Sequence, residues 1–234
     1  MKKSDFLVFV LFCLLFLPFF LFHSAFDFFL SFNAGHAYIA GFIKFALLAT
    51  LGESIGLRIR TGKYSARGFG LFPRAIVWGF LGITIKMAFV IFGEGAQPLL
   101  TGLGVHFPTG EILKESQFSW LKLLTAFTVS TTLNLFFAPV FMTFHKISDL
   151  HILQNGGSIK GFLTPINFRR NFTEIDWSSM WNFVFKKTIP LFWIPAQTLT
   201  FMLPEEFRVL IAAIYSIILG VLLSIASIMA QRKL

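Results

Sequence analysis

Two lysines lie inside long apolar stretches of the sequence, where a charge is costly and therefore informative. Lys44 and Lys86 are each about seven or eight residues from matching ends of their stretches, which places both about 10 to 12 Å deep in a membrane. An unpaired cation at such a depth costs at least about 2.5 kcal/mol. The pair therefore predicts either a positive ring in a water-filled path that favours anions, or two side chains that extend to the nearby surface.

Other polar side chains occur in apolar stretches at positions suited to line a path. Glu53 precedes Arg58 by about one helical turn, so it either pairs with a basic residue of the adjoining loop or lies at a pore mouth. A run of threonines and serines ends at Asn134 and is too polar to face lipid along its length. The predicted pore-lining residues are Lys44, Lys86, Glu53, Thr128, Thr131, Asn134 and Gln197.

The sequence offers no set of residues arranged for catalysis. Serine or cysteine is not paired with histidine in a recognisable motif, and neither a phosphate-binding loop nor a zinc motif is present. His145, Asp149 and His151 are close in sequence, but a spacing this generic gives metal binding little weight. We therefore predict that the chain is not an enzyme and that it uses no metal or other cofactor.

The elements that must position these residues are apolar helices. Hydrophobic residues make up 56% of the chain, charged residues only 13%, and the mean hydropathy is +0.75, whereas a soluble domain has about 25% charged residues. Apolar stretches of a length suited to a hydrocarbon core of about 30 Å lie at roughly 6–30, 36–57, 71–93, 119–143, 183–203 and 207–230. The sequence predicts an all-α, polytopic integral membrane helix bundle with about six hydrophobic segments.

The chain divides into an N-terminal part and a main bundle. Residues 1–34 form an additional span or signal-anchor, because the first apolar run has no clear cleavage site, and residues 35–234 form the bundle. Small residues in the second and third stretches, among them Gly41 and Gly82, predict that these two helices pack closely. The segment 94–118 is predicted as a loop or shallow re-entrant segment, and 145–181 as a connection with an amphipathic interfacial helix.

The basic residues are distributed unevenly between the connections. Alternating the six stretches across a membrane places fifteen of the twenty lysines and arginines on one side, and that side is the cytoplasmic one in the usual orientation. Both termini then lie on that same side, in a bacterial-type inner membrane or a mitochondrial or peroxisomal one. The basic residues that give the chain its net charge of +9 lie beside the apolar stretches and do not form a patch with interleaved aromatics. Anionic lipid headgroups, and not nucleic acid, are therefore the expected partners.

The C-terminal third carries a motif that resembles the peroxisomal membrane protein 22 kDa family. The motif residues are Trp193, Pro195, Gln197, Phe201, Pro204 and Arg208, followed by Leu223 and Ser224. The chain departs from the family pattern at Thr200, where asparagine is usual, and at Ala126 and Phe127, where aspartate and glutamine are usual. The resemblance covers about 35–224 and implies a small channel of mitochondrial inner or peroxisomal membranes that passes small solutes.

These observations predict a membrane channel or pore for the diffusion of small solutes, with lysine selecting for anions. The alternative is a closed membrane scaffold that binds a partner through its basic loops and transports nothing. A homo-oligomer is compatible with both functions.

Overall fold

The computed structural model describes residues 3–231 and is helical throughout, with no strand among those residues. Lys2, Arg232 and Lys233, three of the basic residues assigned above to one membrane side, lie outside the described residues. The helices are α1 (Lys3–Leu21), α2 (His23–Gly35), α3 (Ala37–Thr61), α4 (Leu71–Gly102), a 3-10 turn (Ile112–Lys114), α5 (Trp120–Thr132), a π-helical segment (Leu133–Phe137), α6 (Ala138–Gln154), α7 (Ile159–Phe162), α8 (Phe168–Thr173), α9 (Trp177–Ser179), a second π-helical segment (Met180–Trp193), α10 (Ile194–Met202) and α11 (Glu205–Gln231).

The all-helical prediction is confirmed, and five helices in the described part of the chain, not six, are long and apolar enough to cross a membrane. They are Lys3–Leu21, Ala37–Thr61, Leu71–Gly102, Trp120–Gln154 and Glu205–Ile225. The stretch predicted at 183–203 is helical but falls within the second π-helical segment and α10. Pro190 lies in the π-helical segment, and Pro195 is in the first turn of α10, where proline is tolerated.

A proline accompanies each π-helical segment: Pro139 follows the first and Pro190 lies in the second. Proline has no backbone N–H and cannot donate to the carbonyl four residues before it. The N–H of Ala138, just before Pro139, donates to the carbonyl of Leu133. The N–H of Ile194, after Pro190, donates to the carbonyl of Ile189. Each bond spans five residues, as a π-helix requires.

Three sequence-based boundaries were wrong. The stretch 6–30 is two helices, because the backbone is extended at Phe22. The segment 94–118 is not a loop throughout, since α4 continues past Pro98 to Gly102. A proline this near the end of a helix removes few of the backbone hydrogen bonds of that helix. The connection 145–181 begins as the last turns of α6 and then holds three short helices, with a turn at Gly156 and Gly157 where φ is +65° and +67°.

Close backbone contacts hold the centre of the bundle together, as the small residues predicted. A Cβ atom on Gly82 of α4 would lie 2.5 Å from the carbonyl oxygen of Gly41 on α3. A Cβ on Gly52 of α3 would lie 2.9 Å from the Cα of Ile217 on α11. Thus α3 packs between α4 and α11, and small residues allow both contacts. The common core includes Phe45, Phe89, Val129, Phe201 and Ala213.

Replacing Gly82 with alanine is expected to destabilise the bundle by about 1 to 3 kcal/mol, because the added methyl group meets the backbone of α3 and overpacks the contact. The matched control is Gly95→Ala on the same helix, where a Cβ meets nothing within 4 Å and alanine is the better helix former. Thermal unfolding in detergent measures both variants. Equal melting temperatures for the two would contradict the close α3–α4 contact.

The two ends of the bundle differ in composition. We call the end formed by 62–70 and 155–158 the basic end; these turns touch, since a Cβ on Gly157 would lie 2.6 Å from the backbone nitrogen of Gly70. The end formed by 103–119 and 203–204 is the opposite end. Helix α1 runs along the outside of the bundle and has no buried residue.

Candidate functional site

A half-open cavity of about 230 Å³, the central cavity, lies between the helices of the bundle. Its walls are mostly aromatic and aliphatic. They are formed by α3, α4, α6, α10, α11 and both π-helical segments. The polar residues on its surface are Glu53, Asn134, His145, Gln197 and Ser216. Three of the predicted pore-lining residues, Glu53, Asn134 and Gln197, therefore line one internal space.

Two buried polar atoms of this cavity have no hydrogen-bond partner among the described residues. Gln197 is 5% exposed and its Oε1 atom is unpartnered, as is Nδ1 of His145. By contrast, the side-chain amide of Asn134 donates to the carbonyl oxygen of Ser130 at 2.9 Å. Buried polar groups in proteins are normally satisfied by protein or by water. The central cavity is therefore suited to hold water or a small solute with hydrogen-bond donors.

A network of charged side chains closes the cavity toward the basic end. The guanidinium of Arg74 donates to Glu53 and, at 2.6 Å, to Oδ1 of Asp149. The indole N–H of Trp78 donates to Oε1 of Glu53 at 2.9 Å, and Nε2 of His145 lies 3.4 Å from the same oxygen. Arg74 is 7% exposed. Its charge compensates carboxylates that water reaches poorly.

Glu53, His145 and Asp149 present ligand atoms within 4.8 Å of one another, close enough for a metal ion. However, Arg74 already binds both carboxylates, and a metal ion would have to displace that guanidinium. His151, which the sequence grouped with His145 and Asp149, instead has Nε2 at 3.1 Å from the carbonyl oxygen of Phe162. The geometry thus favours an ion-pair network in this cluster.

A larger cavity of about 520 Å³, the end cavity, lies at the opposite end between α4, α11 and the 3-10 turn. Ammonium Nζ of Lys86 lies 2.6 Å from Oε1 of Glu205. The charged residues of its walls are Lys86, Lys114, Arg208, Glu94, Glu111 and Glu205. These three positive and three negative side chains balance. The hydrogen bond from Lys114 to Glu111 raises the pKa of that lysine above its usual value, which keeps it charged at neutral pH.

Phe89 is the residue that the two cavities share. It lines both of them and is 5% exposed. The ring packs against Phe201 of α10, with 4.9 Å between ring centroids, and Phe201 is fully buried. The charged end cavity and the central cavity therefore adjoin at Phe89.

The remaining predicted pore residues lie elsewhere. Lys44 shares a third cavity with Lys86, so the two lysines lie close to each other in the bundle. Thr128 donates its hydroxyl to the carbonyl oxygen of Leu124 at 2.9 Å, which leaves it no donor for a solute. Thr131 is half-buried and its hydroxyl oxygen has no partner among the described residues. Neither threonine lines the central or the end cavity.

The motif residues of the C-terminal third lie on the cavity walls or near the ends of α10 and α11. Trp193 and Gln197 line the central cavity, and Pro195 is in the first turn of α10. Pro204 directly precedes α11. Arg208 fixes the opposite end, since its guanidinium donates to the carbonyl oxygens of Leu203 at 2.9 Å and Leu113 at 3.0 Å.

Sequence reasoning missed four residues of the site: Arg74, Trp78, Phe89 and Glu205. Arg74 is one of the fifteen basic residues assigned to one side of the membrane, and its burial was not predicted. The signal that could have indicated burial is its position in the first turn of an apolar helix. Trp78, one turn further along, lies on the same face. Phe89 is one of 33 phenylalanines, and no local pattern distinguishes it.

Comparisons of the chain with models of protein families, with curated proteins and with solved structures give no match. The resemblance to the peroxisomal membrane protein 22 kDa family therefore stays a prediction from the motif residues.

Proposed function

We propose that this chain is a membrane-embedded helix bundle that provides a narrow path for the passive diffusion of small solutes. The five apolar helices have the length needed to cross a bilayer, and Met180–Met202 is a sixth helical passage from the basic end to the opposite end. With six passages, the basic residues gather on one side, which supports a common orientation of the helices. The family resemblance in the C-terminal third supports the same function.

The observation that carries the proposal is that the end cavity and the central cavity are neighbours in the bundle and share one lining residue, Phe89. At its far side the central cavity reaches Glu53 and His145, next to the basic end. Hydrophobic constrictions of this kind gate membrane pores by excluding water, so a rotation of one ring would join the two spaces.

The lining of the path favours small uncharged solutes. The Lys86 charge that predicted anion selection is matched by Glu205 at 2.6 Å, and the end cavity as a whole carries balanced charges. The central cavity of about 230 Å³ is mostly apolar and would desolvate an ion at a high cost. The free oxygen of Gln197 offers an acceptor to a hydroxyl or amide group that passes it.

Osmotic swelling of proteoliposomes tests this function directly. The purified protein is reconstituted, and light scattering follows the entry of urea, glycerol and the disaccharide sucrose. We expect urea and glycerol to enter faster than into protein-free liposomes, and sucrose to be excluded because a disaccharide is larger than the central cavity of about 230 Å³. Swelling identical to that of protein-free liposomes for all three solutes would refute the path.

Replacing Lys86 with methionine is expected to make the end cavity favour cations. The change leaves Glu205 without its partner and gives the cavity a net charge of −1. A unit charge about 4 Å from a passing ion changes the energy of that ion by about 1 kcal/mol in water. The ratio of cation leak to anion leak should therefore rise by up to about fivefold. The reversal potential in a KCl gradient measures this ratio, and Glu205→Gln should shift it in the opposite direction. Shifts of the same sign in both variants would contradict the assignment.

The second candidate function is a closed scaffold, and the buried Phe89–Phe201 contact favours it. In that case the basic end would bind a partner and the cavities would be packing voids. Chemical crosslinking in native membranes distinguishes the two functions. A scaffold would give a specific crosslinked partner together with no solute entry, whereas a pore would show entry without one.

A further inference from the structure

A third space lies on the flank of the bundle, between the α1–α2 pair and the helices α3 and α11. This groove has a volume of about 470 Å³ and an almost wholly apolar lining. Its walls contain seven phenylalanines of α1, α2 and α11, including Phe16, Phe29 and Phe207. None of its residues lines the central cavity or the end cavity.

The groove meets a charged space at one end. Lys44 and Asn33 belong both to the groove and to a cavity of about 240 Å³, the rim cavity, that also contains Lys86, Glu205 and Glu206. An apolar groove of about 470 Å³ thus adjoins a cavity with charges of both signs, and the two share Lys44 and Asn33. This is the arrangement of a lipid molecule, with an apolar chain joined to a charged headgroup.

Lys44 marks the place where an anion would bind. Its ammonium donates to Oδ1 of Asn33 and lies 4.9 Å from the centre of the Phe29 ring. No carboxylate among the described residues pairs with it, and two of its three N–H donors have no partner there. Lys86, by contrast, has Glu205 at 2.6 Å. A half-buried cation without a counter-charge is costly, so a bound anion would stabilise this side chain.

We propose that a phospholipid with an amine in its headgroup binds here, with one acyl chain in the groove and its phosphate on Lys44. Charge-assisted hydrogen bonds to a phosphate oxygen would satisfy the free donors of Lys44. The carboxylate of Glu206, exposed at the start of α11 and on the rim cavity, would pair with the headgroup amine. A fatty acid fits less well, because a carboxylate alone would fill little of the rim cavity and would leave Glu206 without a cation.

Native mass spectrometry of the detergent-purified, delipidated protein tests the site. Palmitoyl-oleoyl phosphatidylethanolamine is titrated, and we expect one saturable equivalent. Lys44→Met should weaken its binding by about tenfold, because the charge-assisted hydrogen bonds to the phosphate are lost. Lys63→Met, which removes an exposed loop cation, should leave it unchanged. Equal weakening in both variants, or in neither, would overturn the proposal.

A second variant tests the groove and leaves Lys44 in place. Leu47→Trp puts a large ring into the groove wall and should also reduce lipid binding by about tenfold or more, because the acyl chain loses its space. Leu135→Trp, on an exposed face outside the groove, is the matched control. Unchanged binding in Leu47→Trp would overturn the groove assignment. Tighter binding of oleate than of the phospholipid would overturn the choice of ligand. Neither result depends on whether the bundle passes solutes.

Discussion

Replacing Phe89 with alanine is expected to raise the rate of glycerol entry into proteoliposomes by at least about tenfold, which equals a barrier lowered by about 1.4 kcal/mol. The substitution removes the one ring that lines both the end cavity and the central cavity. The two spaces would then join, and water would fill the former constriction. Osmotic swelling gives the rate, with the protein content of each liposome sample held equal.

Two further variants make this result specific. Phe89→Leu should give an intermediate rate of glycerol entry, because leucine is smaller than phenylalanine but larger than alanine. This substitution should also lower the stability of the fold less than Phe89→Ala does. Phe80→Ala is the matched control on the same helix, since Phe80 is 60% exposed and lines neither cavity. Entry rates that are the same for Phe89→Ala, Phe80→Ala and the parent protein would mean that Phe89 does not obstruct a path.

Replacing Arg74 with methionine is expected to destabilise the fold by about 3 to 5 kcal/mol. The guanidinium is bound by Glu53 and Asp149, and its removal leaves two poorly hydrated carboxylates without a counter-charge. Unfolding of the detergent-solubilised protein, followed by the loss of helical circular dichroism with added denaturant, measures the change in free energy.

Arg170→Met provides the control for this prediction. Arg170 and Glu174 form an exposed pair at 2.8 Å on neighbouring turns, and such pairs contribute no more than about 0.5 kcal/mol. Adding Glu53→Gln to Arg74→Met should recover part of the lost stability, because one buried charge is removed. A similar small loss for Arg74→Met and Arg170→Met would contradict the network at the basic end.

Hydropathy predicted the positions of the main helices well, because each of these helices consists largely of apolar residues. The stretches at 36–57 and 71–93 correspond to α3 and α4, and the prediction that they pack together is confirmed at Gly41 and Gly82. The far end of α4 was missed, since Glu94 and Gln97 end the apolar run while the backbone continues to Gly102. Backbone hydrogen bonds, and not side-chain polarity, decide where a helix stops.

The site was less predictable because its contacts join residues far apart in sequence. Lys86 meets Glu205 across 119 positions and Arg74 meets Asp149 across 75, and no local spacing encodes either pair. Gln197 was singled out by the motif, and the structure adds that its oxygen faces a cavity without a partner. Phe89 acquires its position from α4 and α10 together, which composition cannot reveal.

Labelling from the two sides of a membrane tests the central claim most directly. In a Cys13→Ser background, single cysteines are placed by Arg67→Cys, near the basic end, and by Glu111→Cys, near the opposite end. A membrane-impermeant maleimide is then applied to intact vesicles from one side. The bundle we describe predicts that one of the two positions is labelled and that the other becomes reactive only after permeabilisation. Labelling of both positions from the same side would contradict the membrane-spanning arrangement and, with it, the solute path.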